Sequence, residues 1–183
     1  MLAGKYIPKF VDDYCVMDTE TTGLDPRYCE LIDISIMKVR NGVIVNEYNH
    51  LMRPEKNISS FITNLTGITN EMVKEQPHFN ELSEEIFSFI DGEFLVGQNL
   101  SFDLRFLSTL GNRDIHNQYS DTMMLGRKLL PHLAHHRLQD LCEYYQVTPG
   151  THRAKADTFA TYQVYEAEKK TFLEMNENDK KFF

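Results

Sequence analysis

Apolar residues in this chain are gathered into short runs whose spacing changes from segment to segment, and that spacing predicts the elements. Tyr14 to Asp18 is a continuous apolar run closed by a carboxylate, the pattern of a buried central strand. Leu31 to Val39 and Val43 to Leu51 predict two further strands. Between them stands Asn41-Gly42, a pair that accepts the positive φ of a type I′ hairpin turn, so the first three strands are expected as an antiparallel meander. Thr69 to Lys74 and Phe79 to Ile90 predict helices, the second with Phe79, Leu82, Ile86, Phe87 and Ile90 on one face. Glu93 to Gly97 predicts another short buried strand. The helix after it, Phe102 to about Leu110, is capped by Asn99 or Ser101 and stopped by Gly111. A fifth strand precedes Asp121. Helices near Thr122 to Leu130, Leu138 to Tyr145 and Ala154 to about Leu173 follow, punctuated by Pro131 and Pro149. Three meandering strands and then alternating helices and strands give an α/β layered domain, with a mixed central sheet flanked by helices.

At 183 residues and 42% hydrophobic content the chain suits one domain with a single sizeable core, expected over residues 1–175. The segment after Glu174 is rich in Asn, Asp, Glu and Lys, and residues 176–183 are expected as a frayed polar tail. No apolar run reaches the roughly 18 residues of a membrane span, and Met1 to Pro8 lacks the apolar stretch and cleavage site of a secretory signal. No membrane partner and a cytoplasmic location are therefore expected. Cys15, Cys29 and Cys142 are odd in number and far apart, which fits buried thiols in a reducing compartment better than a disulfide framework. The formal net charge of -8 argues against a broad nucleic-acid-coating surface, because such binding rests on many Lys and Arg contacts to phosphate. It leaves room for a local site, since carboxylates loaded with cations become a neutral or positive locus. Arg105, Arg127, Lys128, Arg137, Arg153 and Lys155 are the cations that could add charge around it.

Five residues spread over most of the chain carry candidate chemistry: Asp18 and Glu20, Asp103, and His152 with Asp157. Asp18 and Glu20 lie two apart on a strand and point to one face. Asp103 falls in the first turn after a strand, where loops of α/β sheets build sites. His152 and Asp157 are five residues apart, about 7 Å along a helix at roughly 1.5 Å per residue. Four carboxylates can hold two hard divalent cations, Mg²⁺ or Mn²⁺, and a histidine can draw a proton from water, which together point to metal-assisted hydrolysis of a phosphodiester. Other groups have plainer readings. Asp121 suits a helix cap, His132, His135 and His136 lack a fourth zinc ligand at suitable spacing, and Phe10, Phe61, Tyr144 and Tyr145 read as core or partly buried aromatics.

In order and type these motifs resemble the DEDDh 3′-5′ exonucleases, the family that includes the proofreading subunit of bacterial DNA polymerase III and the exonuclease domain of PolC polymerases. The segment Asp18-Thr19-Glu20-Thr21-Thr22-Gly23-Leu24 is similar to the first exonuclease motif, Gln98-Asn99-Leu100-Ser101-Phe102-Asp103 to the second, and His152 with Asp157 to the third. Leu65-Thr66-Gly67-Ile68-Thr69 is similar to a segment between the first two. The resemblance runs from about Cys15 to about Glu168. Two positions depart from the pattern: Gln98 stands where His is frequent, and Thr158 where Ala is common.

The resemblance implies a ribonuclease-H-like fold and stepwise release of nucleoside 5′-monophosphates from the 3′ end of single-stranded DNA, in proofreading or repair, with a polymerase partner. By it, Asp18, Glu20 and Asp157 hold the metal of the attacking water, Asp18 and Asp103 serve the second metal, and His152 is the base. Thr21, Leu24, Asn99 and Phe102 would meet the terminal nucleotide. Two other readings use the same residues: a 3′-5′ exoribonuclease acting on short RNA or RNA tails, and a non-catalytic nucleic-acid-binding module. The five intact motif residues speak against the second, because a binder has no need of a general base.

Overall fold

A computed structural model describes residues 1–180. In chain order its elements are β1 (Ala3–Tyr6), β2 (Tyr14–Thr21), β3 (Leu31–Arg40), β4 (Val43–Leu51), α1 (Ser60–Thr66), α2 (Asn70–Val73), α3 (Phe79–Ile90), β5 (Leu95–Gly97), α4 (Ser101–Leu110), β6 (Ile115–Asp121), α5 (Thr122–Leu129), α6 (Leu138–Tyr145), α7 (Ala154–Glu174) and α8 (Glu177–Lys180). The strands form one six-stranded mixed sheet in the order β1-β6-β5-β2-β3-β4. β2, β3 and β4 make the expected antiparallel meander, with Asn41 and Gly42 at φ 50° and 72° in its turn. β5 runs parallel to β2, β6 to β5, and β1 to β6.

The first half of β2, Tyr14 to Met17, is apolar without interruption because both faces of the sheet are covered there. Cys15 and Met17 point into the larger core, with Ile34 and Ile36 of β3, Leu82, Ile86, Phe87 and Ile90 of α3, and Leu104, Phe106 and Leu107 of α4. Tyr14 and Val16 point the other way, to Met37, Val39, Leu125 and Tyr165. On that second face lies α7, whose Tyr165 ring meets Tyr14 edge-on at 4.7 Å between centroids. Glu166 accepts the Tyr14 hydroxyl at 2.7 Å. Fully burying a large apolar side chain is worth about 1.5–3 kcal/mol, so these two layers hold β2 as the least movable strand of the sheet.

Several sequence expectations are corrected. β1 was not foreseen: it is four residues long and irregular at Gly4, whose φ of 77° brings the backbone against Leu104 and Tyr119, where a side chain would collide. α1 was also missed, since it buries only Ile62 and Thr66; its signals were the Ser59 cap on the Ile62 N–H (3.3 Å) and the left-handed Gly67 that ends it. Neither Asn99 nor Ser101 caps α4 with its side chain. Leu100 occupies the cap position and its N–H is taken by Asp121 at 2.9 Å, a cap delivered from another strand. Phe61 is not a core aromatic, being 73% exposed, and Tyr144 is also exposed, while Cys29 is only half-buried beside the buried Cys15 and Cys142. Of the polar tail 176–183, α8 occupies part, and residues 181–183 lie outside the described residues.

Glu168 of α7 is the least comfortable group in the core. Both its carboxyl oxygens are buried without a hydrogen-bond partner among the described residues, and the Gly126 backbone packs so closely that an added Cβ would stand 2.9 Å from Oε1. Burial, reinforced by the charge of Asp121, raises its pKa well above the ordinary 4.5. The folded protein therefore holds a proton on Glu168 that the unfolded chain releases above 4.5, and this group lowers stability as pH rises. Thermal midpoints of wild type and Glu168→Gln should lie close together near pH 5 and diverge toward about pH 8, the variant being higher. A difference that does not change with pH would show that Glu168 ionises in the fold as freely as in the unfolded chain.

Candidate active site

The carboxyl ends of β2, β5 and β6 meet at one edge of the sheet, the edge at which open α/β sheets build sites. Asp18 and Glu20 continue the side-chain parity of Tyr14 and Val16, which turns both toward α7. In the β2–β3 register Asp18 stands opposite Ser35 and Glu20 opposite Asp33. Asp157 lies in the first turn of α7. One carboxylate oxygen from each of Asp18, Glu20 and Asp157 falls within 4.8 Å of the others. Asp103, in the first turn of α4, approaches from the opposite face, where its Oδ1 accepts the Thr19 hydroxyl at 2.5 Å. It lies outside that group of three but is the strongest charged neighbour of Asp18.

Anions this close repel by at least roughly 3 kcal/mol per pair at an effective dielectric near 20. The pKa values follow. Burial first, then Asp103, Glu20, Asp157 and Asp33, pushes Asp18 well above the carboxylate range. Burial and the charges of Asp157, Asp33 and Asp103 push Glu20 up to about 8, against a lowering pull from Arg153. Asp103 is raised by burial against the Thr19 hydrogen bond, and Asp157 by burial against His152 and two backbone N–H groups. Such a group of oxygen donors fits a hard divalent cation.

The loop before α7 closes over this group. Asp157 accepts the N–H groups of Thr151 and His152, and Gly150 packs on its carboxylate so closely that a Cβ would lie 1.7 Å from Oδ1. His152 is exposed and left-handed, at φ 55°. Arg153 turns inward to Asp33, Nε to Oδ2 3.2 Å. The nucleotide-facing candidates lie at the end of β2 and on the segments that follow β2 and β5. Thr21 ends β2 and spends its hydroxyl on Gly23 O at 2.6 Å, whereas Leu24 is 83% exposed. Asn99 is exposed at φ 56° after β5, and Phe102 is half-buried with its ring 4.9 Å from that of Phe106.

The two departures from the motif pattern have structural work. Gln98 donates to His136 O at 2.9 Å and accepts the Thr122 hydroxyl, tying β5 to α5 and to the loop that follows it. Thr158 is buried and donates to Ser35 O at 3.3 Å. Asp121 caps α5 as expected, accepting from Met123 N and Met124 N. His136 contacts Leu130 O at 3.0 Å, and the His132 ring lies 5.8 Å from that of Tyr144. Among the nominated cations, Arg137 pairs with Asp140, Lys155 with Glu47 and Arg153 with Asp33. Four residues of the neighbourhood went unrecognised as such in the sequence: Thr19, Asp33, Gly150 and, as an anchor, Arg153. The one visible signal was Asp33 itself, a lone carboxylate inside the apolar run Leu31-Ile32-Asp33-Ile34.

Comparison with known proteins agrees with this geometry. A family model described as an exonuclease, of the RNase T type, matches residues 15–165. The PolC-type DNA polymerase III of Halalkalibacterium halodurans is 37% identical over 161 residues, 85% of this chain and 11% of that protein. That of Bacillus subtilis is 34% identical over 156 residues, 82% of this chain and again 11% of the relative. The chain thus spans about a tenth of the length of the curated relatives it matches. Among solved structures, Exonuclease X in complex with 5′-overhanging duplex DNA superposes with a TM-score of 0.69 at 27% identity, covering 85% of this chain and 91% of that one. Escherichia coli Exonuclease I in complex with a 5cy-dT13 oligonucleotide has the same fold, with a TM-score of 0.74 at 19% identity over 88% of this chain and 41% of that one. With a mixed ribonuclease-H-like sheet and an acidic group at its carboxyl edge, this chain belongs to the DEDD-type exonuclease family.

Proposed function

We propose that residues 1–175 are a single 3′-5′ exonuclease domain that releases nucleoside 5′-monophosphates from the 3′ end of single-stranded DNA. The observation that carries the reading is the convergence of Asp18, Glu20 and Asp157, from two distant segments, on a space that only a cation or protons can make tolerable. DNA is favoured over RNA because the relatives are DNA polymerases and Exonuclease X was solved with DNA. The PolC relatives also support work alongside a polymerase, and a cytoplasmic location suits such a role.

In this reading Asp18, Glu20 and Asp157 hold one divalent cation, and Asp18 with Asp103 serve a second. Two cations, Mg²⁺ or Mn²⁺, would polarise the attacking water and offset charge on the departing oxygen. An imidazole nitrogen of His152 takes a proton from the water as its oxygen bonds to phosphorus. The bond from phosphorus to the 3′ oxygen of the preceding nucleotide breaks, and that oxygen takes a proton from solvent to become the new 3′ hydroxyl. Leu24 and Asn99, both exposed, would meet the last base and sugar, together with Thr21 and Phe102. Contact with the face or edge of a base reads no particular sequence.

Two outcomes check this. In EDTA, Asp18 and Glu20 keep protons in the fold that the unfolded chain releases, so stability should fall as pH rises from 4.5 through about 8. With Mn²⁺, which displaces those protons, the fall should be largely abolished over the same window, so that the advantage over EDTA widens with pH and is about 2.7 kcal/mol at 100 times the dissociation constant. Equal slopes with and without Mn²⁺ would remove the cation from these carboxylates. In a gel assay with 5′-labelled DNA and RNA of one sequence, the DNA should shorten stepwise from its 3′ end faster than the RNA, with Mg²⁺ or Mn²⁺ and not with EDTA. Asp157→Ala should lower that rate at least about 100-fold with the fold kept. His152→Ala should lower it about 10²- to 10⁴-fold with Mn²⁺ binding retained. Unchanged turnover in either variant would sink the role given to that residue.

A further inference from the structure

The loop that presents His152 is tied down at two points, and the two ties differ in kind. One is Asp157, which accepts the N–H groups of Thr151 and His152. Asp157 is also a member of the convergent carboxylate group, so its oxygens are shared between the loop and whatever occupies that space. The other tie comes from β3. Helix α7 begins with Arg153 at its cap position and has no side-chain cap bond from that residue. The helix start is held instead by Asp33, which is buried, faces the backbone N–H of Ala154 and receives the Arg153 guanidinium at 3.2 Å. Asp33 stands directly opposite Glu20 in the sheet, so β3 reaches the helix start at the level of the carboxylates.

Between these ties His152 sits in the left-handed region at φ 55°. That conformation disfavours a residue with a Cβ by roughly 1–2 kcal/mol and persists only where its surroundings over-determine it. We propose that Asp33 is the positioning residue for His152: by holding Arg153 and facing Ala154 it fixes where the chain enters α7, and so keeps the imidazole on the Asp157 side of the carboxylates. It is the tie that a cation does not compete for, because Asp33 is outside the convergent group and its carboxylate is already engaged. The inference rests on the reading of His152 as the base.

A double-mutant cycle tests it. Asp33→Ala removes the Arg153 ion pair and the acceptor that faces Ala154 N–H, whereas Asp33→Asn keeps an acceptor there and loses the charge that faces Arg153. On a 5′-labelled DNA oligonucleotide, Asp33→Ala should lower kcat roughly 10- to 100-fold with KM within about threefold, as a misplaced catalytic group does, and Asp33→Asn should lower it less. Mn²⁺ affinity of the nucleic-acid-free protein, measured by titration calorimetry, should change less than about fivefold, since no ligand is removed. In a His152→Ala background Asp33→Ala should cost less than about twofold further, because the group it positions is gone. If Asp33→Ala lacks a cooperative thermal transition, Asp33→Asn carries the same cycle. The proposal is overturned if the full factor persists in the His152→Ala background, if folded Asp33→Ala keeps wild-type kcat, or if the rate loss is matched by a loss of Mn²⁺ affinity. Failure of the exonuclease reading would be seen separately, as wild-type protein that does not shorten the strand.

Discussion

Like charges confined to one end of a sheet are the constraint around which this molecule is organised. Asp18, Glu20 and Asp157 share a few ångströms, Asp103 presses in from the other face, and Asp33 stands across from Glu20. Their repulsion is of the same order as a substantial part of a domain's net stability, about 5–15 kcal/mol, so it persists only because something stiffer opposes it. The opposition is the rest of the fold. β2 is paired on both sides, to β3 and β5, and buried on both faces, and α7 is pinned to it by Tyr165 and by the Tyr14 hydroxyl on Glu166. The carboxylates cannot separate without moving the strand that all layers hold.

The same frame explains why backbone N–H groups recur as partners around the site. Asp121 takes the N–H groups of Leu100, Met123 and Met124, joining β6 to the starts of α4 and α5 and so setting the helix that bears Asp103. Asp33 and Asp157 do the corresponding service for α7. A carboxylate at a helix start also meets the positive end of the helix dipole. The acidic edge thus combines two kinds of carboxylate, the convergent Asp18, Glu20 and Asp157 and the helix-positioning Asp33 and Asp121, with Asp157 serving in both.

Much of this was legible from residue order. The meander, its Asn41-Gly42 turn, α3, α6 and the run into Asp18 followed from local periodicity, because each is long or carries a turn that few residue pairs accept. The convergence of Asp18, Glu20 and Asp157 could be anticipated from the ordered motifs, since strand parity fixes the first two and the helix start fixes the third. What escaped was tertiary. β1 and α1 are too short for a periodic signal, and the cap on α4 arrives from Asp121, 21 residues away. The Asp33 contact with Arg153 spans 120 residues, and no local pattern encodes a bond of that length.

Gly150 has a consequence for how this edge can vary. Its backbone occupies the space against Asp157 Oδ1 in which a Cβ would stand, so the loop and the carboxylate fit as lock and bolt. A chain that acquired any side chain there would have to push the Asp157 carboxylate aside or lift the loop from Thr151 to Arg153. The smallest residue of the loop, which has no chemistry of its own, thereby bears on where Asp157 and His152 stand.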